Sequence, residues 1–267
     1  MTTLRIQLLH QLRLFFIALQ FFTRIPIPAW VGFDAAWLHQ ASRYFPAVGW
    51  VVGAVSASVY IAAAQWWPNA IAILLSMIAG ILLTGAFHED GFADVCDGFG
   101  GGMTAQRTLD IMKDSRVGAY GAIGIFLMLL SKFALLFSLP LVLVVPALLI
   151  AHPLSRLLSC SLIWLLSYAR DEGKAKPLAQ HMSSNEFGLA CLTVIIPAGA
   201  ILLWQPVVVE RLLPALVLML LAAFWMARLF VRKIGGYTGD CLGAVQQVTE
   251  VAFYLGLLAH PVASAVV

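Results

Sequence analysis

Seven stretches of roughly 20 mostly apolar residues run through this chain, and that is the length a helix needs to cross the hydrocarbon core of a bilayer. They cover 48–66, 69–87, 119–139, 141–166, 187–204, 212–230 and, with more polar content, 244–262. Hydrophobic residues make up 61% of the 267 and charged residues only 11%. A water-soluble fold could not hide that much apolar surface. The expected fold is therefore an all-α, polytopic transmembrane helix bundle forming a single integral membrane domain over 1–267. Leu139 and Pro140 separate two spans that are otherwise nearly continuous. Trp66, Trp67 and Trp204 fall at span ends, where interfacial aromatics belong.

Charge distribution tests this count. With seven spans, one side of the membrane receives Arg5, Arg13, Arg24, Arg43, Arg107, Lys113, Arg116, Arg170, Lys174, Lys176, Arg228, Arg232 and Lys233. Lys132 and Arg156 lie within spans, which leaves Arg211 for the other side. Such asymmetry predicts a cytoplasmic N-terminus in the cell inner membrane, with 1–47 as a cytoplasmic or interfacial segment. Residues 4–22 are apolar nearly all round but broken by Gln7, His10, Gln11, Arg13 and Gln20, which suits a helix lying in the membrane plane. They lack the uninterrupted apolar core and cleavage site of a signal peptide. The prolines after Arg24 end that helix. A net charge of +3 gives no reason to expect nucleic acid as a partner. Cys96, Cys160, Cys191 and Cys241 are widely spaced, form no CxxC pair and read as reduced packing residues.

The chemistry is expected in two loops on the basic side. The first, 88–117, begins His88-Glu89-Asp90-Gly91-Phe92-Ala93-Asp94-Val95-Cys96-Asp97 and continues through Gly100, Gly101 and Gly102. If the helix continues, Asp90, Asp94 and Asp97 stand at i, i+4 and i+7 and face one way. Carboxylates so close repel one another unless a cation neutralises them. Oxygen-only ligands suit Mg²⁺, which combines a few carboxylates with substrate phosphates. A solvated acidic cap is the plainer alternative, but acids at the C-terminal end of an apolar helix are disfavoured by its dipole. Gly100 and Gly101 offer amides that can approach phosphate oxygens, or else a hinge. Lys113 and Arg116, one turn apart, suit a phosphate as point charge and bidentate fork, or simply anchor the loop.

The second segment, 232–243, contains Gly235-Gly236-Tyr237-Thr238-Gly239-Asp240-Cys241-Leu242-Gly243. Gly236 and Thr238 are candidates for holding an anion, and Asp240 for completing a metal shell; a tight turn is the alternative. Buried charges in a membrane are usually paired or functional. An Arg156–Glu250 pair is one possibility, and Lys132 either snorkels or faces the bundle interior.

Three of these segments together resemble the adenosylcobinamide-GDP ribazoletransferase, or cobalamin synthase, family: Glu89-Asp-Gly-Phe-Ala-Asp94-Val-Cys-Asp97-Gly, Lys113-Asp-Ser-Arg-Val-Gly-Ala-Tyr-Gly121, and Gly236-Tyr-Thr-Gly-Asp240-Cys-Leu-Gly243. Phe21-Phe-Thr-Arg-Ile-Pro26 and the order of spans extend the likeness to nearly the whole chain. The resemblance implies an enzyme in which α-ribazole or its 5′-phosphate displaces GMP from adenosylcobinamide-GDP with Mg²⁺ required. On that basis Asp90, Asp94 and Asp97 hold the metal with help from Asp240, and Glu89 is a ligand or general base. Lys113 and Arg116 then neutralise the departing phosphate. Other nucleotide-loop enzymes and further copies of the chain are possible partners. A CDP-alcohol phosphotransferase is the nearest rival, but Asp94 stands where that family's motif has Arg and the later carboxylates are spaced too closely. A cation transporter would bind nearer the bilayer midplane.

Overall fold

A computed structural model describes residues 3–32, 34–169 and 180–259. Arg170, Lys174 and Lys176, and the far end of the seventh expected span, lie outside the described residues. Eleven α-helices are described and no strand runs between them: α1 (Thr3–Phe22), α2 (Ala35–Ala41), α3 (Phe45–Ala63), α4 (Asn69–Thr84), α5 (Phe87–Gly101), α6 (Ala105–Ile111), α7 (Ala119–Ser138), α8 (Leu141–Leu165), α9 (Ser184–Trp204), α10 (Pro206–Ile234) and α11 (Gly239–Leu258). Six helical stretches among the described residues are long and apolar enough to cross a membrane, and α4 with α5 makes a seventh if the bent pair counts as one span. The polytopic helical bundle expected from the sequence is what is found. Pro140 caps α8 and separates it cleanly from α7, which ends at Ser138. α1, 20 residues long, is not among the helices apolar enough to count as a span.

One departure from expectation shapes the rest. The acidic segment is not a loop but a helix, α5, set at 87° to α4. Gly85 closes α4 in the left-handed conformation that glycine tolerates, and Ala86 follows with a φ of 57°. Two successive left-handed residues turn the chain sharply, so the aspartates leave the axis of the span that precedes them. With 16 residues α4 is about 24 Å long, short of the roughly 30 Å hydrocarbon core.

α8 and α11 form the centre. Along them the apolar packing divides in two. One cluster joins Phe22, Phe45, Val48, Cys160, Phe230 and Val245; the other joins Leu143, Ile150, Met219, Phe253 and Leu257. Lipid is as apolar as these side chains, so close packing and polar contacts set the helix arrangement. At the junction between the clusters sit the buried polar residues Lys132, His152, Arg156, Gln246, Gln247 and Glu250. α9 and α10 by contrast leave most of their apolar side chains facing outward, as a lipid-facing wall does.

Candidate functional site

On α5 the i, i+4, i+7 spacing places Asp90, Asp94 and Asp97 along one side, with Asp90 exposed and the other two half-buried. Asp90 is in the first turn, where the helix dipole favours a carboxylate, because the bend starts a new helix there. The dipole argument against a plain acidic cap therefore no longer holds.

Asp97 has a task that its position alone did not indicate. Its two oxygens accept the backbone N–H groups of Gly118 at 2.7 Å and Gly121 at 2.8 Å. It therefore caps α7 from another helix and satisfies amides that have no partner within α7. A Cβ on Gly118 or Gly121 would fall 2.4 or 2.3 Å from those oxygens, so both positions require glycine while Asp97 stays in place. Through this contact the Lys113–Gly121 segment is bound to the acidic helix.

The second glycine-rich segment reaches α5 from the other side. Thr238 caps α11, its hydroxyl accepting the N–H of Cys241, and Asp240 falls in that helix's first turn. A Cβ on Gly91 would lie 3.0 Å from the Asp240 Cα. The backbones of α5 and α11 thus approach closely at Gly91, next in sequence to Asp90. Gly236 is buried against the segment that follows α8, where a Cβ would meet the Ser167 carbonyl oxygen at 2.1 Å. Beside it Tyr237 donates to that same oxygen at 3.1 Å, and Ala169 donates to the Tyr237 carbonyl at 2.8 Å. Gly236 and Thr238 therefore shape the turn that presents Asp240.

Gly100 and Gly101 occupy the last turn of α5. Helical amides bond the carbonyl four residues back, and the Gly102 N–H closes the series on Gly98 at 2.8 Å. The glycine run is a helix end and not a phosphate-cradling loop; the ring of Tyr120 lies over Gly100, where it would meet a Cβ at 2.5 Å.

Lys113 and Arg116 are exposed between α6 and α7. Arg116 grips Asp114 at 2.6 Å, and that contact draws the Asp114 carboxyl down to about 2. A depressed carboxyl keeps its interaction above its ordinary range and loses it as pH falls through the shifted value. The pair is thus intact at every physiological pH.

Glu89 points elsewhere. Its Oε1 accepts the Gln247 side-chain amide at 2.9 Å and its buried Oε2 has no hydrogen-bond partner. This carboxylate faces a cavity of about 40 Å³ inside the bundle, lined also by Ser56, Ser76, Lys132, His152, Arg156 and Glu250. Glu250 is paired with Lys132 at 3.1 Å and faces His152 at 3.4 Å. Arg156 instead donates to the His152 carbonyl at 3.0 Å. The possible Arg156–Glu250 pair is therefore replaced by Lys132–Glu250, because the turn of α8 that carries Arg156 directs its guanidinium along its own helix. Lys132 faces the bundle interior. Gln246 and Gln247 were missed at the sequence level; two adjacent amides within an expected span were the available signal.

Among the described residues no three of His, Cys, Asp and Glu converge closely enough to cage a metal alone. The donors along α5 and at Asp240 are nonetheless all carboxylate oxygens. Mg²⁺ takes one or two protein carboxylates and completes its shell with water and substrate phosphate, so the donor set fits an ion that arrives with a phosphorylated ligand.

The family model for cobalamin-5-phosphate synthase matches residues 14–258. An adenosylcobinamide-GDP ribazoletransferase from Shewanella frigidimarina is 47% identical over 265 residues, covering 95% of this chain and 97% of that protein. Proteins of the same name from Shewanella oneidensis and Leptothrix cholodnii are also 47% identical, covering 93% and 94% of this chain and 94% and 97% of theirs. No solved structure matches. The motifs on α5, before α7 and at the start of α11 lie within the matched region, and the chain belongs to the cobalamin-5-phosphate synthase family.

Proposed function

We propose that this protein is a Mg²⁺-dependent transferase of the inner membrane that joins α-ribazole, or its 5′-phosphate, to adenosylcobinamide-GDP and releases GMP. The reading is supported by the names of its relatives and, in the structure, by one observation. The close α5–α11 crossing at Gly91 and the capping of α7 by Asp97 tie all three polar segments to one helix, α5.

A ribose hydroxyl attacks the phosphorus that carries the cobinamide. The new O–P bond replaces the bond from that phosphorus to the bridging oxygen, and GMP departs with the bonding electrons. Phosphoryl transfer relies on positioning and on stabilising charge. Asp90, Asp94 and Asp240 would hold Mg²⁺, which supplies charge neutralisation on the diphosphate when bound. Asp97 keeps the Lys113–Gly121 segment against α5. Lys113 and Arg116 contact the leaving phosphate from their exposed loop. Glu89 would be a ligand or the general base, and its buried Oε2 is an unpartnered acceptor of the kind that calls for a functional explanation. Active segments on the basic side face the cytoplasm.

The test is release of GMP by the purified chain in lipid vesicles, supplied with adenosylcobinamide-GDP, α-ribazole 5′-phosphate and Mg²⁺. Stoichiometric GMP and a cobalamin product are expected. Unchanged substrates, in vesicles where the chain is folded, would refute the proposal.

A further inference from the structure

Behind Glu89 runs an unbroken series of hydrogen bonds that the proposed chemistry does not yet use. Lys132 Nζ lies 3.1 Å from Glu250 Oε1, and the Tyr254 hydroxyl donates to the same oxygen at 3.1 Å. Glu250 Oε2 accepts the Gln246 side-chain amide at 2.6 Å. Gln246 Oε1 in turn accepts the Gln247 amide at 2.9 Å, and that same amide donates to Glu89 Oε1 at 2.9 Å. Gln246, Gln247 and Glu250 are 2–3% exposed and Lys132 is 6% exposed.

The series has one direction. A side-chain amide has a donating end and an accepting end. Lys132 supplies only donors, so Glu250 is held as an acceptor. Glu250 then draws the donor end of Gln246, whose second N–H reaches the Ser155 hydroxyl at 3.3 Å. This leaves the carbonyl of Gln246 for Gln247. Flipping Gln247 would set its oxygen against both the Gln246 carbonyl and the Glu89 carboxylate. Buried in low dielectric, either mismatch is expensive.

We infer that Gln247 is a positioning residue for the transfer reaction: its amide, oriented by the Gln246–Glu250–Lys132 series, fixes the Glu89 carboxylate through Oε1 and leaves Oε2 unpartnered. This rests on the proposed role of Glu89. The bent α4–α5 junction explains the need, since Glu89 is in the first turn of a helix whose start is set only by Gly85 and Ala86. An anchor on α11, the most buried helix, immobilises the carboxylate where its own helix would let it swing.

Gln247→Met removes the amide at nearly constant volume. In reconstituted vesicles kcat should fall about tenfold or more while KM for adenosylcobinamide-GDP stays within about twofold, the pattern of a group that acts on the transition state. Combining it with Glu89→Gln should lower kcat no more than about twofold below Glu89→Gln alone, because both substitutions disable one carboxylate. Gln246→Met, one link further back, should show a smaller loss of kcat with the same constant KM, and it carries the test if Gln247→Met does not fold. A kcat within twofold of wild type for the folded variant, or full additivity with Glu89→Gln, would overturn the inference. Wild-type vesicles that release no GMP would instead remove the parent reading, and the inference with it.

Discussion

The aspartate side of α5 and the Lys132–Glu250 cluster are both rich in charge, yet they are built in opposite ways. Around α5 the carboxylates stand in partial exposure, with Lys113 and Arg116 on an open loop nearby. Inside the bundle, Lys132, His152, Arg156 and Glu250 are at most 9% exposed, Lys132 pairs with Glu250, and Arg156 donates to the His152 carbonyl. Charges that are solvated add little to folding but stay available to a ligand. Charges sealed from water must be matched, and a missing partner is destabilising. The two regions therefore divide the work, one presenting charge to substrate and the other fixing the helices that present it. Glu89 is where they meet.

Substitutions should separate the two regions sharply. The largest effect is expected from Asp94→Asn, with turnover reduced about a thousandfold or more and the thermal unfolding of the vesicle-bound protein unchanged within a few degrees. GMP release and unfolding measured on one preparation check this. Equal loss of activity and stability would erase the distinction. Next, Glu250→Leu should destabilise by about 3–5 kcal/mol by leaving Lys132 uncompensated. The double change Lys132→Met with Glu250→Leu should recover more than half of it, as read by denaturant unfolding in detergent. Failure of the double variant to recover would mean that the pair is not what matters there. Gly121→Ala directs a methyl group at the Asp97 carboxylate. Activity should drop about ten- to a hundredfold, and Asp97→Asn should do no further harm in the same background if the contact is the cause. The smallest effect is expected from Arg116→Gln, a rise in KM for adenosylcobinamide-GDP of about threefold to tenfold that fades at high salt, since exposed charges are screened. The Asp114 carboxyl, already drawn down to about 2 by Arg116, should leave no mark on a rate profile between pH 5 and 9.

Much of the bundle was legible because apolar length and basic asymmetry are both imposed by the bilayer on the chain. The common side of Asp90, Asp94 and Asp97 followed from helical spacing alone. The 87° bend did not, because Gly85 marks only a helix end and nothing in Ala86 announces a left-handed backbone. The partner of Asp97 was hidden for a different reason. Gly118 and Gly121 lie 21 and 24 residues away, and only tertiary packing brings their amides to it. The pairing of Glu250 was open between two in-span cations, and the rotation of α8 decided it in favour of Lys132. Gly100 and Gly101 show the converse error, in which glycines that suggest a loop complete a helix.

If the aspartate side of α5 and the start of α11 surround one cation, that cation can report its own position. Fe²⁺ substituted for Mg²⁺ in vesicles holding adenosylcobinamide-GDP, with ascorbate and peroxide added, generates radicals that cut the nearest backbone. Cuts are expected within 89–98 and 238–242 together, abolished by Asp94→Asn and by excess Mg²⁺. Cuts confined to one of those segments, or mapped to the Lys132–Glu250 cluster instead, would show that the two motifs do not share a metal.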